Sequence, residues 1–173
     1  QVLFKFIREK RYVPIVDRIL NSEGLSIPTK NRIAKSGTSK KRIVYSLPED
    51  EAIVLKLLTW LMIRKYDWFF ADNLYSFRPC YGAVDAIKRL SSNRKISHCY
   101  SYKLDVRNYF NSIDVELFLP VLKQLFADDQ PLYDFLASQL SDHRAIDNGE
   151  IVEEQKGAMA GMPYAGFLAN VFL

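Results

Sequence analysis

Tyr102-Lys103-Leu104-Asp105-Val106-Arg107-Asn108-Tyr109-Phe110-Asn111-Ser112-Ile113-Asp114 is the stretch on which the fold turns. An acid, Asp105, closes a short run that opens on Tyr102 and Leu104. Two aromatics, Tyr109 and Phe110, follow, and then Ile113 and a second acid, Asp114. The pattern predicts a strand over 101–106 that carries one carboxylate to a sheet edge, followed by a turn into a helix. Phosphoryl and nucleotidyl transfer call for a divalent cation that activates the attacking oxygen and neutralises the leaving phosphates. Mg²⁺ in such sites is held by few carboxylates plus the substrate phosphates. Asp105, with the Val106 carbonyl beside it, is a part-site of that kind. An isolated strand-end Asp is ordinarily a turn or helix cap; the flanking residues argue for more.

The chain around this run has ordinary globular composition. Its 173 residues can bury a real core, as one large domain or two small lobes. Hydrophobic residues at 49% and charged residues at 25% exclude a disordered chain. No apolar run reaches the roughly 18 residues of a membrane helix; the longest, 53–63, is interrupted by Lys56 and Thr59. The first residues carry no small-residue cleavage site of a signal peptide. Two cysteines, Cys80 and Cys99, fit a reducing, cytoplasmic compartment, and with His98 and His143 they give no zinc spacing. The net charge of +4 conceals a segregation: residues 1–45 hold eleven Lys/Arg against three acids, the remainder thirteen against seventeen. A basic front on an acidic back suggests a lobe that faces phosphate and one that faces metal or solvent.

Residues 1–20 have helical spacing, restarted at Pro14. Residues 32–45 read as a hairpin turned at Ser36-Gly37-Thr38-Ser39. Pro48-Glu49-Asp50-Glu51 opens a helix to about Lys65, with acids placed for the helix dipole. A loop over 67–80 and a helix over 81–90 precede the opening run. Helices are predicted over 115–126 and 131–140, then a hairpin turned at Asn148-Gly149, a glycine-containing loop over 157–163 and a helix from Ala165. The chain stops inside that periodic apolar segment with no cap, so the expectation is that the polypeptide continues.

The opening run resembles motif A of reverse transcriptases, particularly the group II intron and related bacterial kind. Three further segments resemble the same family in the same order. Lys35-Ser36-Gly37-Thr38-Ser39-Lys40-Lys41-Arg42 is similar to the hairpin whose Lys and Arg meet the triphosphate; Arg42 can grip phosphate bidentately and Lys35 can act as a point charge. Leu74-Tyr75-Ser76-Phe77-Arg78-Pro79 resembles the family's Ser-Tyr-Gly-Phe-Arg-Pro segment, where the Arg and neighbouring aromatics help to seat the template. Residues Gly157 to Leu173 look like motif B, usually Gly-Thr-Pro-Gln-Gly-Gly-Pro followed by Ser-Pro-Leu-Leu-Ala-Asn after one residue. Gly157, Gly161, Pro163, Leu168, Ala169, Asn170 and Leu173 fall in register, whereas the family's Gln is Ala160 and its Ser-Pro is Ala165-Gly166.

The resemblance implies an α+β fold: reverse-transcriptase-like fingers over 1–100 and the first half of a right-handed palm over 101–173, ending before motif C. It implies RNA-directed DNA polymerase activity with Mg²⁺ or Mn²⁺, an RNA template, a DNA or RNA primer and dNTP as partners, and no membrane. Asp105 is then the catalytic metal ligand, with Val106. Lys35, Arg42, Phe110, Ala160 and Gly161 face the nucleotide, Phe110 packing under its sugar, and Lys40, Lys41 and Arg78 face the template. Phe126-Ala127-Asp128-Asp129 imitates motif C but precedes motif B and lies between helices, so its acids are expected to cap the helix at Pro131. The alternatives are a non-enzymatic RNA-binding module of the maturase type, bound to an intron or other structured RNA, and a domesticated defence-type reverse transcriptase.

Overall fold

The computed structural model describes residues 2–34, 37, 39–154 and 157–173. Two short helices, α1 (Val2–Arg8) and α2 (Val13–Leu20), lead into a hairpin of β1 (Thr29–Ala34) and β2 (Lys41–Ser46). Pro14 sits in the first turn of α2, where its missing N–H costs nothing. The long helix α3 (Glu49–Tyr66) follows, with Glu49, Asp50 and Glu51 in its first turn and Arg64 and Lys65 in its last, charges that suit its dipole. α4 (Ala83–Ser91), α5 (Val115–Leu125), α6 (Gln130–Ser141), the hairpin β3 (Arg144–Asp147) and β4 (Glu150–Glu153), and α7 (Ala165–Phe172) complete an α+β architecture. Among the described residues no helix is long and apolar enough to cross a membrane.

α3, α5, α6 and α7 meet in one core, in which Leu55, Met62, Phe118, Leu122, Phe126, Phe135, Leu136, Phe167 and Leu168 are fully buried. Its centre is aromatic: Phe126 lies edge-on to Tyr66 at 5.0 Å and stacks with Phe167 at 6.3 Å. The acids of the false motif C belong to this core's rim. Asp129 caps α6, accepting from the Leu132 N–H at 3.2 Å. Asp128 does not cap; it accepts from the Tyr66 hydroxyl at 3.2 Å and pairs with Lys65 at 2.9 Å, which holds its carboxyl below the usual range.

All four strands form one sheet, in the order β2-β1-β3-β4. β1 and β2 pair antiparallel from Thr29↔Ser46 to Ala34↔Lys41, and β3 and β4 likewise from Arg144↔Glu153 to Asp147↔Glu150. Asn148 and Gly149 both have positive φ, 53° and 91°, as the type I′ turn requires. β1 and β3 meet in parallel at Thr29↔Ile146, and the Ile146 N–H donates to the Pro28 carbonyl at 2.8 Å. Charge reinforces this narrow seam: Arg32 grips Asp147 through two bonds of 2.7 and 2.6 Å, and Lys30 pairs with Glu154, which also accepts from the Tyr45 hydroxyl at 3.0 Å. The sheet therefore joins strands from either side of residue 100, and the Asn148-Gly149 hairpin shares its sheet with β1 and β2 rather than with Asp105.

The strand predicted over 101–106 does not form. Residues 100–107 make no backbone hydrogen bond among the described residues, and Tyr100, Tyr102 and Leu104 are 93%, 90% and 91% exposed. A strand is defined by the neighbour that accepts and donates along its edge, and here no strand lies alongside. The run passes through a turn at Asn108 (φ 52°) into a 3-10 turn over Tyr109–Ser112.

A buried carboxylate ties the N-terminal helices to α3. Glu51, 5% exposed, accepts from the Ser26 N–H at 3.0 Å, the Ser26 hydroxyl at 2.8 Å and Arg18 at 2.9 Å. Replacing it by Ala strands these donors, so Glu51→Ala should cost about 2 kcal/mol. Urea unfolding measures this; a loss indistinguishable from zero contradicts the anchoring role.

Candidate functional site

Three segments distant in sequence line one cleft of 270 Å³: Phe77 from the 67–82 loop, Phe110 from the 3-10 turn, and Gly161 to Phe167, with Thr59 and Ile63 of α3 behind them. Aromatic and apolar walls with an exposed backbone loop are the ordinary makings of a small-molecule or nucleobase site.

Each wall is held by a specific contact. The 157–163 loop docks on the free edge of β2, where the Tyr45 N–H donates to the Ala160 carbonyl at 2.8 Å. Gly161 permits the approach: its φ is +102°, and a Cβ there would lie 2.7 Å from the Tyr45 carbonyl oxygen. At the start of the loop, a Cβ on Gly157 would lie 2.3 Å from the Phe110 carbonyl oxygen. The Tyr109 hydroxyl donates to the Ala169 carbonyl at 2.6 Å, and burial pushes the phenol's pKa up. On the far side, Asn170 donates from Nδ2 to the Ser76 carbonyl at 2.7 Å. α7 and the loop before it are thereby bonded to β2, to the 3-10 turn and to the loop that carries Phe77.

Phe77 is unusual among these residues. Its φ is +53°, a left-handed conformation that bulky side chains rarely adopt, and its ring is 57% exposed. Strain of this kind persists only where the surroundings over-determine it. They do so through Arg78, whose Nε and Nη2 reach the two oxygens of Asp67 at 2.9 and 3.0 Å while Nη1 donates to the Ala71 and Leu74 carbonyls. The Arg78 guanidinium also lies 4.0 Å over the Tyr81 ring.

Arg78 is 6% exposed, with its donors directed into its own loop, which it organises. The other expected residues fall as follows. Phe110 and Gly161 line the cleft, and Ala160 contributes its carbonyl to β2. Arg42, exposed on β2, shares a strand face with Val44, whose Cβ lies 3.2 Å from the Cβ position of Gly161; Arg42 is thus about 7 Å along the strand from that contact. Lys40 and Lys41 are exposed at the tip of the same hairpin. Lys35 lies outside the described residues. Asp105 and Val106 are exposed in the unpaired run and line no part of the cleft.

A single carboxylate and a carbonyl suit a Mg²⁺ that takes its other ligands from phosphate and water, but they are not a protein cage. Among the described residues no group of three or more His, Cys, Asp or Glu is placed to hold a metal ion. Sequence reasoning missed Gly166 and Tyr109 as site-building residues, and gave Phe77 only the general part of an aromatic beside Arg78. A signal existed for Gly166, which stands where a Pro is usual in the resembling motif and leaves room for a ring. Compared with protein-family models the chain matches none, and compared with curated proteins it has no match.

Two substitutions check the construction of the cleft. Gly161→Ala combines an unfavourable φ with a clash against β2 and should destabilise by about 2 kcal/mol or more, with loss of hydrogen-exchange protection at the Tyr45 amide. Arg78→Lys forfeits the paired bonds to Asp67 and should lower the Tm by several degrees in thermal unfolding; an unchanged Tm contradicts the loop-organising role.

Proposed function

We propose that the chain is the nucleotide- and template-facing part, fingers and first half of palm, of an RNA-directed DNA polymerase. One observation carries the reading. Phe77, Phe110 and Gly161, taken from three of the four segments that resemble reverse transcriptases, line a single cleft, and the fourth segment's strand is docked on it through Tyr45 and Ala160. Unrelated surface motifs would have no reason to converge in this way.

In this reading the Phe110 ring lies under the sugar of the incoming deoxynucleotide and leaves no room for a 2′-hydroxyl. The glycine-permitted backbone at 161 lets the nucleotide approach closely. Ala160 offers the sugar no amide side chain, so discrimination rests on the aromatic wall. Arg42 meets phosphate with two parallel donors, and Lys40 and Lys41 attract the RNA backbone. Mg²⁺, when bound, would neutralise the phosphates, and this chain's contribution to it is the Asp105 carboxylate with the Val106 carbonyl.

Primer extension on an RNA template by the polypeptide that carries this chain tests the proposal. Phe110→Ala should raise the use of ribonucleotides relative to deoxynucleotides by on the order of a hundredfold. Loss of stability with unchanged sugar selectivity would make Phe110 a packing residue only. Replacing Lys40, Lys41 and Arg42 by Ala should flatten the slope of log affinity for single-stranded RNA against log salt by about 2. An unchanged slope would mean that the hairpin tip does not touch nucleic acid.

A further inference from the structure

Phe77 and Gly166 line the cleft, but the reading above gives neither a task toward the nucleotide, and the fold spends several contacts on placing them. Ser76 is fixed by Asn170, Arg78 is locked to Asp67, Ala71 and Leu74, and Phe77 between them is forced to positive φ. The ring so presented lies against α7: a Cβ on Gly166 would come within 2.6 Å of both Cγ and Cδ1 of Phe77. Its other neighbour is Phe110, at a centroid distance of 6.1 Å and an interplanar angle of 73°, the edge-to-face arrangement that aromatic rings prefer. The Phe110 backbone is separately held against Gly157. What remains free in Phe110 is the rotation of its ring, and Phe77 is placed to limit it.

We infer that Phe77, seated on Gly166, is the positioning residue for the Phe110 ring, so that sugar discrimination belongs to a pair of rings and not to one. The inference rests on the proposed polymerase reading, and it deepens it: the selectivity of the site is set from outside the 105–114 run. Phe77 acts through Phe110 and need not touch the nucleotide. Gly166 is the place where the pair can be disturbed without altering either ring, because a methyl group there must displace Phe77.

Two readouts test it, one of geometry and one of selectivity. With ¹³C-labelled phenylalanine, the ring resonances of Phe110 should shift in Phe77→Ala and in Gly166→Ala and stay near wild type in Phe77→Tyr. In primer extension, Phe77→Ala and Gly166→Ala should each raise the ribonucleotide-to-deoxynucleotide ratio on the order of tenfold. Phe77→Tyr should retain the wild-type ratio, and Phe77→Ala combined with Phe110→Ala should show no more than the effect of Phe110→Ala alone. Phe77→Tyr, which keeps the ring, guards against a folding artefact, and the Tm of each variant is compared with wild type. If Phe110 resonances do not move in either variant, or if they move and the ratio does not, the inference is overturned while the polymerase reading stands. If the wild-type polypeptide that carries this chain, with the palm complete, extends no primer, the polymerase reading falls and the selectivity claim falls with it.

Discussion

The N–H of Tyr45 donates to a loop carbonyl, not to a strand, and most of the candidate site depends on that bond. β2 is an edge strand whose inner side pairs with β1. Its outer side is met by Ala160, and only a residue without Cβ at 161 can bring the loop so near. The sheet and α7 thereby become parts of one body. Once the loop is fixed, Gly157 fixes the backbone at Phe110, Gly166 fixes the ring of Phe77, and Asn170 fixes the turn at Ser76. A cleft assembled from three distant segments needs a common reference, and the 157–170 stretch supplies it.

Charges elsewhere set position more than they stabilise. Desolvation offsets much of the attraction in a buried pair, but the bidentate geometry of Arg32 with Asp147 tolerates little displacement. That pair, with Lys30 and Glu154, fixes where β3 and β4 join a sheet that would otherwise have only the β1–β2 hairpin. Glu51 does the same for the N-terminal helices. Both are polar clasps at places where apolar packing is thin: among the described residues the smaller core buries Phe6, Ile15 and Val54, with Val16, Ile19, Leu25 and Ile53 partly buried against them.

The helices and both hairpins were legible in the sequence because their signals are local. Pro14, the Pro48 entry with its acids, Asp129 as a cap and the Asn148-Gly149 turn each act within a few residues. What failed depends on distant partners. The run at 101–106 has strand-like residues but no neighbouring strand, and no local rule reveals that. The place of the second hairpin in the sheet is decided by Arg32 and Lys30, more than a hundred residues from their acids. The aromatic and basic surroundings of Arg78 are local, but its burial against Asp67 emerges only when the loop closes. The cleft was legible only as a set of four resembling segments, and the seat of Phe77 on Gly166 lay in a departure from their pattern.

The unpaired run has a colloidal consequence. Residues 100–107 present backbone donors and acceptors with apolar side chains at Tyr100, Tyr102, Leu104 and Val106, the surface on which extended segments of other molecules pair and aggregate. Lys103, Asp105 and Arg107 alternate with those residues and act as gatekeepers against such pairing. Asp105 thus carries a solubility role alongside any chemical one. Removing its charge changes the behaviour of the whole chain in solution as well as its candidate ligand, and the charge-conserving Asp105→Glu exchange separates the two.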